Sequence, residues 1–161
     1  MTSRGVPQRN GPDHQEEAMG FPDRIERTIS LDRRPEDVWP ALTAAEGLSS
    51  WFGASAEIDL RPGGAGSITF DAGMTVEFRV ERVEEPNLFG YTWRLPNLPE
   101  DDPRRTYVEF TLERSDAGTL LRVTESGFAQ LPVDIRRDTY ESHREGWSRE
   151  LAELSEHLHG A

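Results

Sequence analysis

His143-Arg144-Glu145-Gly146-Trp147-Ser148-Arg149-Glu150-Leu151-Ala152-Glu153-Leu154 is the stretch that decides the fold. At about 100° per residue, Tyr140, His143, Trp147, Leu151, Leu154 and Leu158 all fall within roughly 60° of one direction. The pattern predicts one long amphipathic helix whose apolar stripe carries two aromatics, a histidine and a flanking glycine. Upstream, from about Arg24 to Glu125, the chain reads mostly as strands. One long helix against a curved antiparallel sheet tends to leave room between the two layers, and small ligands occupy such room.

The strands come in a definite order. Arg24 to Leu31 alternates, with Ile25, Ile29 and Leu31 on one side. Asp32 to Pro35 opens a short helix with Glu36 and Asp37 in its first turn and Val38, Trp39 and Leu42 on its buried side. Glu46 to Phe52 reads as a second short helix or turn. A meander follows: Ala54 to Leu60, Ser67 to Asp71, Met74 to Val83, Leu88 to Leu95, then a hairpin of Tyr107 to Arg114 and Thr119 to Glu125. Met74, Val76, Phe78 and Val80 are expected to share the inner face, and a change of phase at Val83 suggests a bulge. Strands in sequence with helices segregated to one face make an α+β domain.

Composition bounds the partners. The chain has 161 residues and a net charge of -12, and its 18 basic residues are all arginine. An acidic protein lacks the basic face that nucleic acid or an anionic membrane requires. No cysteine is present, which excludes disulfides, thiolate nucleophiles and cysteine metal sites. Residues 1–22 are polar and aperiodic and are expected to be a disordered tail, with a single domain over 23–161. The tail has no apolar segment of a secretory signal, and no run approaches the roughly 18 apolar residues of a membrane span. A cytoplasmic location is the default expectation.

Val38-Trp39-Pro40-Ala41-Leu42-Thr43, Leu48, Trp51-Phe52, Pro62-Gly63-Gly64, Gly118-Thr119 and His143-Arg144-Glu145-Gly146-Trp147 with Leu151 and Leu154 occur in order across the domain. In these residues the chain resembles the SRPBCC, or START-like, superfamily, and within it the branch related to the activator of heat-shock-protein-90 ATPase. The resemblance implies the helix-grip fold: a curved antiparallel sheet of six to seven strands wrapped around a long C-terminal helix, with two short helices after the first strand. Members of the superfamily include lipid and hormone binders, polyketide cyclases and aromatases, and co-chaperone domains. Fold alone does not choose among them.

Each candidate residue has a plain structural alternative. Trp39, Trp51 and Phe52 lie on the short helices that cap one end of a helix-grip cavity, where packing alone explains buried aromatics. Trp51 and Phe52 have the better case for touching a ligand, because they lead into a glycine. Phe78, Tyr91, Trp93 and Phe110 are strand aromatics that either fill the core or line a pocket. Tyr140, His143 and Trp147 face the sheet from the helix. His143 either holds a backbone carbonyl or anchors a polar group of a ligand. No metal is expected there, since no second histidine stands at helical spacing and His157 and His159 lie at the polar end. Gly146 costs roughly 1 kcal/mol in a helix interior relative to alanine; close approach of the sheet or of a side chain would offset it.

Glu77, Glu81, Glu109 and Glu113 sit at spacing two on their strands and read as solvated faces, Glu109 being ambiguous. No nucleophile elbow, phosphate loop or dinucleotide fingerprint occurs, so neither a cofactor nor a dedicated catalytic group is expected. The leading expectation is a binding protein for a small, largely hydrophobic molecule. A cyclase- or dehydratase-type enzyme, needing a polar pair such as His143 with Tyr91 or Tyr140, is the alternative. A co-chaperone-like interaction module, with a protein partner or a homodimer, is the third.

Overall fold

The computed structural model describes residues 23–160, so the expected tail at 1–22 lies outside the described residues. Strand β1 spans Arg24–Leu31, helix α1 Pro35–Thr43 and helix α2 Ala45–Trp51. Strands β2 (Ser55–Ile58), β3 (Ala65–Thr69), β4 (Thr75–Glu84), β5 (Leu88–Arg94), β6 (Arg105–Arg114) and β7 (Thr119–Ser126) follow, and helix α3 (Val133–Gly160) closes the chain. Pro35 starts α1, where its missing N–H and fixed φ cost nothing, and Glu36 and Asp37 follow in the positive end of the helix dipole.

The seven strands form one sheet in the order β1-β7-β6-β5-β4-β3-β2, every pair antiparallel. The meander is closed by the first strand, which returns to pair along its whole length with the last, from Arg24 opposite Ser126 to Leu31 opposite Thr119. With two short helices after β1 and one long helix at the end, this is the helix-grip architecture.

Alternation sets which side chains meet the helix. Val108, Phe110 and Leu112 of β6 and Leu121 and Val123 of β7 are buried, and on β4 the buried set is Val76, Phe78 and Val80. Met74, expected on that inner face, precedes β4 and is 46% exposed. The expected bulge falls between Val80 and Arg82 rather than at Val83. Extra backbone there re-aims the strand, which leaves Val83 only partly buried. On α3 the expected stripe is the buried one: Trp147, Leu151 and Leu154 are in the core, with Tyr140 and Leu158 packed against it.

Gly118 shows why the hairpin between β6 and β7 needs its glycine. Its φ is +144°, and a Cβ there would stand 2.5 Å from the Leu31 carbonyl oxygen and 2.7 Å from the Arg33 nitrogen. Next to it, Thr119 donates its hydroxyl proton to the Arg33 carbonyl at 2.6 Å. The pair seals the β6–β7 turn against the start of α1. The C-terminal end of α3 is tied down nearby, where His159 Nε2 accepts from the Asp32 amide at 3.2 Å.

Candidate functional site

The inward parity of β7 runs Leu121, Val123 and then Glu125, which places a carboxylate where the pattern calls for an apolar side chain. Glu125 is fully buried. Four side chains converge on it from three elements. Trp93 of β5 donates its indole N–H at 3.0 Å and Thr106 of β6 its hydroxyl at 2.6 Å, both to Oε2. From α3, Trp147 donates its indole N–H to Oε1 at 2.8 Å, and His143 Nδ1 lies 2.9 Å from both oxygens. Burial pushes the carboxyl up, but hydrogen bonding and charge from His143, with hydrogen bonds from Thr106 and Trp147, outweigh it and hold Glu125 below the usual carboxylate range. An ionised carboxylate accepts only, so Nδ1 of His143 carries the proton, and Nε2 is the nitrogen left over.

This anchor sets the walls of a pocket. Two indoles tied by their N–H groups to one carboxylate cannot swing, and their rings stack 5.9 Å apart at 22°. Phe52 joins them, 5.5 Å from Trp147 at 25° and 6.1 Å from Trp93 at 26°. Phe70 packs edge-on against Phe52. These rings, with Met74, Val76 and Pro96, form the apolar part of a pocket of about 310 Å³ between the sheet and α3. Its polar members are Arg94, Ser142, His143, Arg149 and Glu150. That volume lies at the lower end of small-ligand sites.

Gly146 also lines the pocket. A Cβ at this position would meet only an Arg149 nitrogen at 3.7 Å, so the expected close approach of the sheet is absent. The space a side chain would occupy belongs to the pocket instead.

The nine candidates divide in two layers. Phe52, Trp93, His143 and Trp147 line the pocket. Trp51, Phe78, Tyr91, Phe110 and Tyr140 stand behind it. Trp51 stacks on Phe52 at 4.8 Å and donates its indole N–H to the Ala41 carbonyl at 2.7 Å. Phe110 packs edge-on beneath Trp147 at 5.7 Å. Phe78 and Tyr91 contact each other at 5.1 Å. The Tyr91 hydroxyl is buried without a hydrogen-bond partner among the described residues, and burial, with the charge of Glu125 second, pushes it well above the usual phenol range. Tyr140 donates to the Arg24 carbonyl at 3.1 Å and packs on Phe128. The pairing of His143 with Tyr91 or Tyr140 is therefore replaced by His143 with Glu125. The carbonyl expected opposite His143 is likewise a carboxylate.

Sequence reasoning missed Glu125, Arg94 and Glu150. Parity marked the first, since Glu125 follows Leu121 and Val123 at spacing two. Glu109 resolves to the outer face, where it accepts from the Tyr107 hydroxyl at 2.7 Å. Among the described residues no three His, Cys, Asp or Glu side chains come together as a metal site, and no helix is long and apolar enough to cross a membrane.

Known structures share this architecture. Protein MLL2253 from Mesorhizobium loti is 28% identical, with a TM-score of 0.72 over 84% of this chain and 96% of that one. The Aha1 dimer from Colwellia psychrerythraea, solved in solution, is 23% identical, with a TM-score of 0.68 over 84% of this chain and 95% of that one. Protein BH1534 from Bacillus halodurans is 23% identical, with a TM-score of 0.69 over 86% and 97%. Among curated proteins none matches the chain at the significance required. The model of the family described as Activator of Hsp90 ATPase homolog 1-like protein matches residues 32–159, and the chain belongs to that family.

Proposed function

We propose that the protein binds a small, flat, largely apolar molecule in the pocket between the sheet and α3. The observation that carries this is the set of three near-parallel rings, Phe52, Trp93 and Trp147, two of them locked by Glu125, facing a helix glycine that leaves space open. A ring fixed in advance loses no rotamer freedom when a ligand arrives, so the cost of ordering the site is already met by folding. His143 adds a polar contact at the pocket wall.

Native mass spectrometry of freshly purified protein is expected to show a co-purified small molecule. Titration with the neutral dye N-phenyl-1-naphthylamine is expected to give saturable fluorescence that Gly146→Leu abolishes while the melting temperature changes little. A variant that loses stability and still binds the dye as before would place the pocket elsewhere.

A second reading is favoured by one observation: Glu125 orients His143 through Nδ1, as a carboxylate orients a general acid or base, leaving Nε2 as the nitrogen through which a proton is given or taken. This is the geometry a cyclase- or dehydratase-type enzyme uses. Incubating the protein with its co-purified molecule in D2O separates the two. Deuterium entering carbon positions with the wild type and not with His143→Ala supports catalysis, and recovery without deuterium supports binding alone.

The interaction-module reading draws on the relative solved as a dimer. Against it, the large exposed apolar side chains among the described residues are few, Leu60, Met74 and Val133, and lie on separate segments of the chain.

A further inference from the structure

Arg94, at the end of β5 beside Trp93, is a cation without a counter-ion among the described residues. Its Nε is buried and meets no acceptor, yet the side chain lines the pocket. An unpaired buried polar nitrogen is costly, and one on a guanidinium more so. The carboxylates close to the pocket do not relieve it. Glu125 is already saturated by Trp93, Thr106, His143 and Trp147. Glu150, on the pocket wall, makes no ion pair with it. Burial, opposed by Arg149 and reinforced by Glu153 and Asp71, pushes the Glu150 carboxyl up to about 7, which leaves it a poor anion near neutrality.

The partner Arg94 lacks is therefore an external one. Guanidinium presents a planar fork that matches a carboxylate in two parallel hydrogen bonds. We propose that the pocket's ligand is an aromatic carboxylic acid, its flat body against Phe52, Trp93 and Trp147 and its carboxylate on Arg94. This rests on the pocket-binding function proposed above and adds the chemical class of the ligand. The contact forms in a partly dry site, where a charge-assisted pair is stronger than at an open surface.

The test compares 2-naphthoate with its uncharged isostere 2-naphthamide by isothermal titration calorimetry. The wild type is expected to bind the acid about tenfold more tightly than the amide. Arg94→Gln is expected to erase that advantage, weakening the acid about tenfold more than it weakens the amide. Arg94→Lys, which keeps the charge and loses the fork, is expected to fall between the two. If Arg94→Gln does not fold, the wild-type ratio and Arg94→Lys decide the matter. Equal binding of acid and amide by the wild type, or equal loss of both in Arg94→Gln, overturns the assignment of the acid while leaving the pocket in place. Binding of neither overturns both.

Discussion

Taking a carboxylate out of water costs several kcal/mol even after relaxation, and Glu125 is recovered only because every lone pair meets a donor. Glu125→Gln keeps the shape but turns an NH2 toward N–H and O–H donors, two of which then lose their acceptor. A loss of about 3 kcal/mol is expected, at the lower end for breaking a buried charged contact. Urea unfolding at neutral pH measures it. The sign of the pH dependence follows from the same residue. Its folded pKa lies below its unfolded value near 4.5, so its stabilisation is fully present above that value and is lost as pH falls through the lower, folded one. The wild type should therefore lose stability in that acid range with a steeper slope than Glu125→Gln. Equal slopes would mean that the fold does not hold the Glu125 carboxyl below its unfolded value. Part of this was legible in the sequence and part was not. Parity put Glu125 on the inner face. Its four donors come from positions 93, 106, 143 and 147, and no local pattern says that these meet.

At the scale of elements, the phase of α3 was the most readable feature, because a stripe over five turns averages out local exceptions. Trp147→Ala tests that phase. The side chain is buried against Phe52, Trp93 and Phe110, so a loss of roughly 3–5 kcal/mol is expected in chemical denaturation, the range for truncating a buried large aromatic. A near-neutral change would place the helix in another phase. The strands were legible where alternation was clean, as in β6, and less so where it broke. Met74 sits at a turn, where the period of two stops applying, and the bulge near Val80 shifts the register by an amount sequence does not specify. Gly146 was legible as an anomaly and not as a cause. A glycine in a helix announces missing volume, but whether backbone or empty space fills it depends on the sheet opposite.

For the whole molecule, charge sets a contrast between the field at a distance and the field in the pocket. The chain as a whole carries a net charge of -12, while its pocket carries the unpaired Arg94. An approaching aromatic acid is repelled over most of its path and attracted only at the end. Salt screens these two parts unequally, since the Debye length is about 8 Å at physiological ionic strength while the contact at Arg94 is short and partly dry. Added salt should therefore weaken the long-range repulsion more than the final pair. The association rate of 2-naphthoate, followed by stopped-flow quenching of tryptophan fluorescence, is expected to rise about two- to threefold between 20 and 300 mM NaCl, a modest change within the reach of electrostatic steering. That of 2-naphthamide should stay flat. Composition argues against nucleic acid and anionic membranes, but it sums charges without their positions and so says nothing of a small anion at Arg94. A fall in the acid's rate with salt would show that a positive field reaches well outside the pocket, despite the net negative charge of the chain.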